Sequence, residues 1–245
     1  MIITAINKYL KTNQLTSLQL RAVFFDMDGV LYDSMPNHAS SWVKTMNEIG
    51  IPFSEEEAYM SEGKVGHATI DSAFLEHKGR TATEEEKKAI YSIKTGHFEA
   101  NGATRLMHSA MEVLNQVKEQ GLQIYVVTGS GQKSLIENLQ ANFPGIFERD
   151  KVVTAFDVKH GKPSPEPYLK ALKLSGMQAN EAIVIENAPL GVESAKAAGL
   201  FTIAVNTGPL SSQVLTDSGA DLVLDGGMNE LHNIWQEFSN IINEI

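Results

Sequence analysis

The sequence predicts an α/β protein whose parallel sheet is interrupted by an inserted all-helical segment. From Ser109 onward, short apolar runs of the buried-strand type alternate with helix-like segments, a pattern typical of a parallel sheet with right-handed crossovers. From residue 36 to about residue 100 there is no good strand pattern, although helix start signals are clear. One apolar run precedes both stretches. Together these observations predict a sheet domain that carries a helical insertion after its first strand.

The amino-terminal part of the chain predicts one helix and the first strand. Apolar residues recur at helical spacing over residues 3–10 and predict a short amphipathic helix. We expect it to belong to an N-terminal helical extension over residues 1–19, packed outside the main fold. The first strand is predicted over Ala22–Phe25, because this apolar and partly aromatic run is followed by the turn that Gly29 supplies.

Capping-box patterns predict where several of the later helices begin. Three such patterns occur: Ser54 with Glu57, Thr83 with Glu86, and Ser109 with Glu112. The first two lie inside the stretch without strands, and the third lies at its downstream end. We therefore expect an all-helical insertion over residues 34–103, within a core formed by residues 20–33 and 104–245.

The remaining elements follow from apolar runs and from glycine and proline punctuation. Further strands are predicted over residues 122–127, 151–154, 182–185, 201–205 and 221–224. One helix is predicted to end before Gly121, and another, over residues 165–175, is opened by a proline and closed by Gly176.

Composition and charge limit the class of protein. The chain contains no cysteine, which excludes disulfides, thiolate metal sites and cysteine nucleophiles and favours a reducing cytoplasm. The first 21 residues contain no apolar run long enough for a signal peptide or a membrane span. A net charge of −10 disfavours nucleic acid or an anionic membrane as a partner, because both are bound through basic residues. We expect a cytoplasmic protein with a small-molecule partner; its oligomeric state is left open, with a monomer allowed.

Polar residues stand at or just after the predicted carboxyl ends of four strands. They are Asp26 and Asp28; Thr128, Gly129 and Ser130; Lys162 and Pro163; and Glu186 and Asn187. Parallel strands bring all four groups to one edge of the sheet, which is where such sheets bind ligands. Two ionised carboxylates at a buried edge raise each other's pKa unless a cation or a chemical task holds them there. The alternative, two aspartates that cap a loop, is weakened by the other three groups.

Each group has a role that phosphoryl transfer needs. Asp26 is predicted to be the nucleophile that attacks phosphorus and forms an acyl phosphate. Asp28, across the turn, is predicted to protonate the leaving oxygen and then to deprotonate water. The Thr128 hydroxyl and the amides of Gly129 and Ser130 are predicted to hold the phosphate oxygens, while Lys162 neutralises charge.

The same residues predict a hard metal ion. Because the chain offers no cysteine and no clustered pair of histidines, oxygen ligands and therefore Mg²⁺ are favoured. Asp26, the main-chain carbonyl of Asp28, and Glu186 or Asn187 are its predicted protein ligands. The ion would screen the nucleophile from its anionic target.

The motifs formed by these residues resemble those of a known family. They are Asp26-Met27-Asp28-Gly29-Val30, Thr128-Gly129-Ser130, Lys162-Pro163-Ser164-Pro165-Glu166-Pro167-Tyr168 and Glu186-Asn187-Ala188-Pro189-Leu190-Gly191-Val192. In this order, with a cap-sized gap after the first, they resemble the haloacid dehalogenase superfamily and, more narrowly, its β-phosphoglucomutase-like branch with a helical cap. The resemblance covers about residues 20–225. It implies a Rossmann-like core, Mg²⁺ and an aspartyl-phosphate intermediate.

One position departs from the pattern of this family. Many members have aspartate where this chain has Asn187, so the carboxylate count around the metal is lower by one. Asparagine still offers a carbonyl oxygen, and Glu186 can compensate. A weaker Mg²⁺ site and a member without catalytic activity are therefore both kept as alternatives.

The resemblance also points to substrate-binding residues in the cap. His38 matches a histidine that contributes to cap closure and acid/base gating in the mutase; the alternative is a histidine packed within the cap against Trp42. Lys64 and His67 lie in the loop where the mutase presents an arginine to the distal phosphate, with His67 at the position of that arginine. Lys94 is placed as a second cap cation, and the alternative is an exposed helix lysine. The other histidines are expected to be structural or exposed: His77, His97, His108, His160 and His232.

The histidine at the position of the phosphate-binding arginine, His67, bears on which reaction is expected. A mutase must hold a bisphosphate at both ends and protect the acyl phosphate from water, whereas a phosphatase needs neither. Because this chain lacks the arginine that would bind the distal phosphate, we expect a phosphatase acting on a small phosphorylated metabolite such as a sugar phosphate. The alternatives are a β-phosphoglucomutase, an inorganic pyrophosphatase and a noncatalytic metabolite-binding module.

Overall fold

A computed structural model describes residues 1–244, apart from the side chain of Arg149. The strands are β1 (Ala22–Phe25), β2 (Tyr32–Asp33), β3 (Arg105–Leu106), β4 (Gln123–Val127), β5 (Val152–Val153), β6 (Ala182–Glu186), β7 (Phe201–Val205) and β8 (Leu222–Leu224). The helices are α1 (Ile2–Asn13), α2 (Met35–Glu48), α3 (Glu55–Met60), α4 (Gly66–Lys78), α5 (Glu84–Ala100), α6 (Ala110–Glu119), α7 (Lys133–Glu137), α8 (Leu139–Asn142), α9 (Glu166–Ser175), α10 (Pro189–Ala197), α11 (Ser212–Asp217) and α12 (Gly227–Glu244). Short 3₁₀ turns cover Arg149–Lys151, Ala155–Asp157 and Ala179–Glu181.

Six strands form one parallel sheet in the order β5-β4-β1-β6-β7-β8. From β1 the chain builds outward through β4 and β5 and then returns to β6 on the other side of β1. The carboxyl ends of β1, β4 and β6 therefore lie side by side where the strand order reverses, the usual ligand position in such sheets. The predicted α/β class, with a Rossmann-like parallel core, is confirmed.

Successive side chains of β1 point to opposite faces of the sheet, and each face has its own apolar cluster. Val23 and Phe25 pack with residues of α1, α6 and α12. Ala22 and Phe24 pack with residues of α9 and α10. A strand buried on both faces must be apolar throughout, which explains why the run could be read from the sequence. This burial fixes the position of Asp26, the residue that follows.

Helices α2–α5 lie between β2 and β3 and have a separate apolar cluster. Trp42, Met46, Phe74 and Ile90 are among its members. The two crossings between these helices and the sheet run through β2 and β3, which pair antiparallel. Strands of two residues carry no periodic signal, so sequence patterns did not predict them.

The amino-terminal helix is longer than predicted and packs on the core. It spans Ile2–Asn13, and its buried Ile6, Tyr9 and Leu10 join the cluster that contains β1. The Tyr9 hydroxyl donates to the carbonyl of Gly199 at 2.8 Å. Among the described residues, no helix is long and apolar enough to cross a membrane.

Two of the three predicted capping boxes are confirmed. Ser54 and Thr83 each accept from the amide three residues on, and the glutamate at that position bonds back. The box at Ser109 is wrong, because this residue has a left-handed backbone with φ of 62° and makes no side-chain cap bond. Its hydroxyl instead contacts Nδ1 of His108 and Oδ1 of Asn229. Helix α9 begins at Glu166, one residue after the predicted start, with Pro165 as its N-cap.

Candidate active site

The four polar groups predicted from the sequence come together at the carboxyl edge of the sheet. A cavity of about 50 Å³ lies there, closed from above by the helices α2–α5 and the loop between α3 and α4. The sheet side contributes Asp26, Asp28, Thr128, Gly129, Ser130 and Gly131 to its wall. The helical side contributes, among others, His38, Trp42, Glu62, Lys64, Tyr91 and Lys94.

Lys162 binds two buried carboxylates from neighbouring strands. Its Nζ donates to Oδ1 of Asp26 and to Oε1 of Glu186, each at 2.5 Å, and to the carbonyl of Val127 at 3.1 Å. All three charged side chains are buried. Burial alone would lower the pKa of Lys162, but Asp26 and Glu186 outweigh it and raise that pKa. The lysine therefore stays charged at the base of the cavity.

Asp26 lies among more negative charge than Lys162 alone can offset. Burial raises its pKa to about 8, and the carboxylates of Glu186 and Asp28 add to the increase while Lys162 opposes it. A nucleophilic carboxylate must be ionised, so the site needs further positive charge during the reaction.

Asp28 is held by a chain of side chains that leads into the inserted helices. Its Oδ1 accepts from Ser34 Oγ at 2.6 Å and lies 3.1 Å from Nε2 of His38. Lys94 Nζ lies 2.7 Å from Nδ1 of the same imidazole. An ammonium group can only donate, so Nδ1 accepts and Nε2 carries the proton that is donated to Asp28. The imidazole also lies against Phe98, with 4.4 Å between ring centroids, so His38 is packed among the inserted helices while it contacts Asp28.

The ionisation of this chain follows from its partners. Burial raises the pKa of Asp28, but His38, Ser34 and Lys94 outweigh it and lower the pKa below its ordinary value. Burial, together with Lys94, lowers the pKa of His38. Burial also lowers the pKa of Lys94 to about 8. The alternative of an exposed Lys94 is wrong, because only 2% of the residue is accessible.

The loop after β4 is shaped to accept an anion and is covered from above. The amide of Ser130 donates to Thr128 Oγ1 at 2.9 Å, which fixes the hydroxyl at the cavity wall. The backbone of Gly63 packs directly on Gly129, where a Cβ would come within 2.1 Å of the Gly63 carbonyl oxygen. A Cβ on Gly131 would come within 2.8 Å of the Tyr91 hydroxyl. The loop is therefore in close contact with the inserted helices at both glycines.

Glu62 and Tyr91 are two cavity residues that the sequence patterns did not identify. Glu62 is buried, and its Oε1 accepts from Nδ2 of Asn187 at 2.8 Å. Burial raises its pKa well above the ordinary value, and Asp26 and Glu186 add to the increase. The signal available was an acid directly before Gly63 in the loop already singled out for Lys64. An isolated acid or tyrosine on a helical segment is more commonly a surface residue, so neither could be selected from the sequence.

Of the predicted metal ligands, Asn187 has a side-chain oxygen without a hydrogen-bond partner, whereas both carboxylate oxygens of Glu186 are hydrogen-bonded. Asn187 has a buried Oδ1 with no hydrogen-bond partner, and its amide nitrogen is bound to Glu62. Glu186 is engaged at both oxygens: Oε1 accepts from Lys162 and Tyr168, and Oε2 lies 3.0 Å from the amide of Asn187. The orphaned oxygen of Asn187, beside an excess of buried carboxylates, fits a bound cation with oxygen ligands.

Of the remaining predicted substrate-binding residues, Lys64 lines the cavity and His67 does not. Lys64 is partly buried at the cavity wall, and its Nζ donates to Ser72 Oγ at 3.3 Å. His67 is exposed and stands edge-on to the ring of Tyr91, with 6.1 Å between centroids. It is not among the residues that line the cavity.

A second acidic group lies away from the cavity. Glu57, Glu76 and His77 present ligand atoms within 4.8 Å of one another at the surface of the inserted helices. Glu76 and His77 are exposed, as predicted for His77. Exposed acidic groups of this kind are common without any ion, so we assign no function to them.

The chain is similar in sequence to known proteins. The sequence matches the description "haloacid dehalogenase-like hydrolase" over residues 20–199. It is 31% identical over 210 residues to Hexitol phosphatase A of Escherichia coli (strain K12), covering 84% of this chain and 91% of that protein. It is 30% identical over 211 residues to the Arabidopsis thaliana protein SUPPRESSOR OF QUENCHING 1, chloroplastic, covering 84% of this chain but only 20% of that longer protein.

A solved structure is similar over nearly the whole chain. The protein described as "Putative beta-phosphoglucomutase from Bacteroides vulgatus" superimposes with a TM-score of 0.95 at 52% identity, and 98% of each chain is covered. The similarity includes the inserted helices as well as the sheet.

Proposed function

This chain belongs to the haloacid dehalogenase-like hydrolase family, and we propose that it is a phosphatase of a small phosphorylated metabolite. It is an enzyme of phosphoryl transfer, with sugar phosphatases and a β-phosphoglucomutase among its relatives. One observation carries the assignment of roles: Lys162 lies 2.5 Å from Asp26, and Asp26 and Asp28 both line the sheet side of the cavity.

In the first step, Asp26 attacks phosphorus. Lys162 holds Oδ1, which leaves Oδ2 to form the new bond to phosphorus while the bond to the leaving oxygen breaks. The phosphate oxygens lie against the Thr128 hydroxyl and the amides of Gly129 and Ser130. The departing oxygen faces Asp28, which supplies a proton when the leaving group needs one.

In the second step, water hydrolyses the aspartyl phosphate. Asp28 accepts a proton from the water, whose oxygen attacks phosphorus and releases Asp26 and inorganic phosphate. The lowered pKa of Asp28 suits this role, because an ionised carboxylate is ready to act as a base. His38 and Ser34 hold its Oδ1 and so leave the other oxygen to face the reacting water.

We propose Mg²⁺ as the cofactor, since hard oxygen donors surround the orphaned oxygen of Asn187. Asp26, the main-chain carbonyl of Asp28 and Oδ1 of Asn187 would hold it, with Glu186 as the alternative to Asn187. When bound, the ion supplies positive charge that lets the carboxylates ionise and an anionic substrate approach.

Cap and core are assigned as the sequence predicts, with residues 34–103 as the cap over residues 20–33 and 104–245. His38 comes from the cap and contacts Asp28, and Lys94, also from the cap, contacts the other ring nitrogen of His38, so Asp28 has its bond from His38 only when the cap is closed. Substrate binding and the readiness of Asp28 are thereby linked.

Hydrolysis of inorganic pyrophosphate is a second candidate, favoured by the size of the cavity. The volume of about 50 Å³ is small, and Glu62 and Tyr91 line it on the side of the inserted helices. An ionised Asp28 also suits a phosphate leaving group, which departs without needing a proton as strongly as a sugar alkoxide does.

Release of phosphate from p-nitrophenyl phosphate and from inorganic pyrophosphate tests the proposal. We expect activity that needs Mg²⁺, is lost on chelation and falls by more than about 10³-fold in Asp26→Asn. Asp33→Asn, an exposed carboxylate on β2, is the matched control and keeps activity. If wild-type protein with Mg²⁺ releases no phosphate from either compound or from a panel of sugar phosphates, the noncatalytic alternative stands instead.

A separate assay divides phosphatase from mutase. The protein is incubated with β-glucose 1-phosphate and a catalytic amount of glucose 1,6-bisphosphate, and glucose 6-phosphate is measured against free phosphate. We expect hydrolysis to be faster than isomerisation. The opposite ratio would show that the chain is a mutase.

A further inference from the structure

Tyr168 lies beside the lysine of the site and takes part in none of the steps above. It stands in the first turns of α9, is fully buried, and packs with apolar residues of the sheet such as Phe24 and Val184. Phenylalanine would fill this space equally well. A buried hydroxyl costs free energy unless it is hydrogen-bonded, so its partner explains its presence. That partner is Glu186, whose Oε1 accepts from the Tyr168 hydroxyl at 2.7 Å.

Hydrogen bonds to both carboxylate oxygens orient Glu186. Oε2 accepts from the amide of Asn187 at 3.0 Å and lies 3.4 Å from the amide of Ala188. Oε1 accepts from Lys162 and from Tyr168. The hydroxyl of Tyr168 is an uncharged donor to Oε1. Without it, Oε1 would accept a hydrogen bond from Lys162 alone.

Lys162 in turn depends on where Oε1 lies. Its ammonium group has three donors and three acceptors: Asp26, Glu186 and the carbonyl of Val127. The ammonium also lies 5.3 Å from the centroid of the Tyr168 ring. A change in the Glu186 rotamer would therefore redirect the lysine relative to Asp26.

We propose that Tyr168 is a positioning residue for phosphoryl transfer: its hydroxyl fixes Glu186 in the rotamer that holds Lys162 against Asp26. The inference rests on the proposed function, because it uses the role of Lys162 at the phosphoryl group. Tyr168 is not among the residues that line the cavity, so it acts through its neighbours and touches no substrate. Misplacing a charged group in a transition state costs rate more than it costs ground-state binding.

Tyr168→Phe removes the hydroxyl and keeps the ring. Tyr125→Phe is the matched control, because Tyr125 belongs to the same apolar cluster and its hydroxyl donates to Gln123 at 2.8 Å, away from the site. With p-nitrophenyl phosphate and pyrophosphate in excess Mg²⁺, we expect kcat of Tyr168→Phe to fall about tenfold and KM to change less than about twofold. The control should keep both constants within about twofold of wild type.

A double-mutant cycle separates positioning from general loss of stability. In the Glu186→Gln background, the Tyr168→Phe change should alter kcat by less than about twofold, because its route of action is already broken. A tenfold loss in both backgrounds, or an unchanged kcat in the single variant, would overturn the inference. So would a crystal structure of Tyr168→Phe in which Glu186 and Lys162 keep their contact and geometry.

The outcomes distinguish this inference from the proposed function. A wild-type protein that releases no phosphate from any ester removes the basis of both. An active wild type whose Tyr168→Phe variant is equally active removes only the role of Tyr168.

Discussion

Asn187 donates its side-chain amide to Oε1 of Glu62 at 2.8 Å, joining the loop after β6 to the inserted helices. The bond decides which way Asn187 faces, because the amide nitrogen is engaged and Oδ1 is left buried and unpartnered. Many family members have aspartate at this position. Here an aspartate would face Glu62 with an oxygen where the nitrogen now donates, so the asparagine and the glutamate are a matched pair.

Asn187→Asp is predicted to make the protein less stable when no divalent cation is present. The change replaces a donor by a second acceptor in a buried site that already contains several carboxylates, at a cost of about 1–3 kcal/mol. Thermal unfolding at pH 8 in the presence of a chelator should show the loss. Excess Mg²⁺ should raise the unfolding temperature of this variant more than that of wild type, because the added carboxylate binds the ion.

Glu62→Gln in the same background supplies the control for that prediction. Glutamine at position 62 can donate to the new aspartate, so the double variant should regain most of the lost stability. An Asn187→Asp protein as stable as wild type in the chelator would contradict the pairing of the two residues.

Lys94→Met is predicted to stabilise the protein and to impair its activity. Burial lowers the pKa of Lys94 from 10.5 to about 8, a penalty on the order of 3 kcal/mol at neutral pH. Losing the bond to His38 costs about 1 kcal/mol, so a net gain of roughly 1–2 kcal/mol is expected. Unfolding temperature at pH 7 should rise by roughly 2–8 °C, while kcat/KM falls about tenfold or more because the imidazole loses its fixed orientation.

The sign of the pH dependence provides an internal check on Lys94. Between pH 8 and 10.5 the unfolded chain binds more protons at this residue than the folded protein, so wild type gains stability as pH rises through this interval. The advantage of Lys94→Met should therefore shrink toward pH 10.5. Lys88→Met, at an exposed position of the same helix, should show neither the gain nor the change with pH. A constant difference across this range would show that burial of the charge is not the cause.

Gly161→Ala is predicted to hinder closure of the inserted helices over the sheet. A Cβ at this position would come within 2.7 Å of Cγ1 of Val65, which lies in the loop between α3 and α4. Contacts this short force one side to move, and the loop carries Glu62 and Gly63 into the site. We expect kcat/KM to fall about tenfold with little loss of stability, because a small displacement of the inserted helices from the sheet would relieve the contact.

Relief of the clash should restore the activity of that variant. Val65→Ala removes Cγ1, so the double variant with Gly161→Ala should regain part of the lost kcat/KM. Gly208→Ala is the matched control, because its Cβ would meet only the Tyr59 ring at 3.5 Å, an ordinary contact. Equal losses in Gly161→Ala and in Gly208→Ala would show that the effect is not specific to closure.

The sheet could be predicted because burial on both faces leaves a continuous apolar run. β1 and β7 were placed to the residue, and the start of β6 as well. The capping boxes at Ser54 and Thr83 were found because their partners lie three residues away. Ser109 failed the same rule, since the sequence pattern does not reveal a left-handed backbone angle. The pairing of β2 with β3 joins segments about seventy residues apart and leaves no local signal.

The site was predictable where chemistry requires a fixed spacing along the chain. Asp26, Asp28 and Lys162 stand in such motifs and meet as expected. Glu62 reaches the cavity from the loop between α3 and α4, and Tyr91 reaches it from α5. The position of both depends on tertiary packing, so no spacing marks them. His67 fits the same loop by alignment, yet the structure leaves it exposed beside Tyr91.

Tyr91→Ala is predicted to shift substrate preference toward larger phosphate esters. The ring lines a cavity of about 50 Å³ and packs against Gly66, so its removal opens space on the leaving-group side. It also removes the hydroxyl that lies beside Gly131 in the phosphate-binding loop, which should lower activity on small substrates. We expect kcat/KM for glucose 6-phosphate relative to pyrophosphate to rise about tenfold or more, since contacts of this kind discriminate by roughly 1–3 kcal/mol. Tyr91→Phe keeps the ring and loses only the hydroxyl, so it should lower both rates without changing their ratio. A ratio that rises equally in Tyr91→Phe would show that the hydroxyl, and not the size of the ring, selects the substrate.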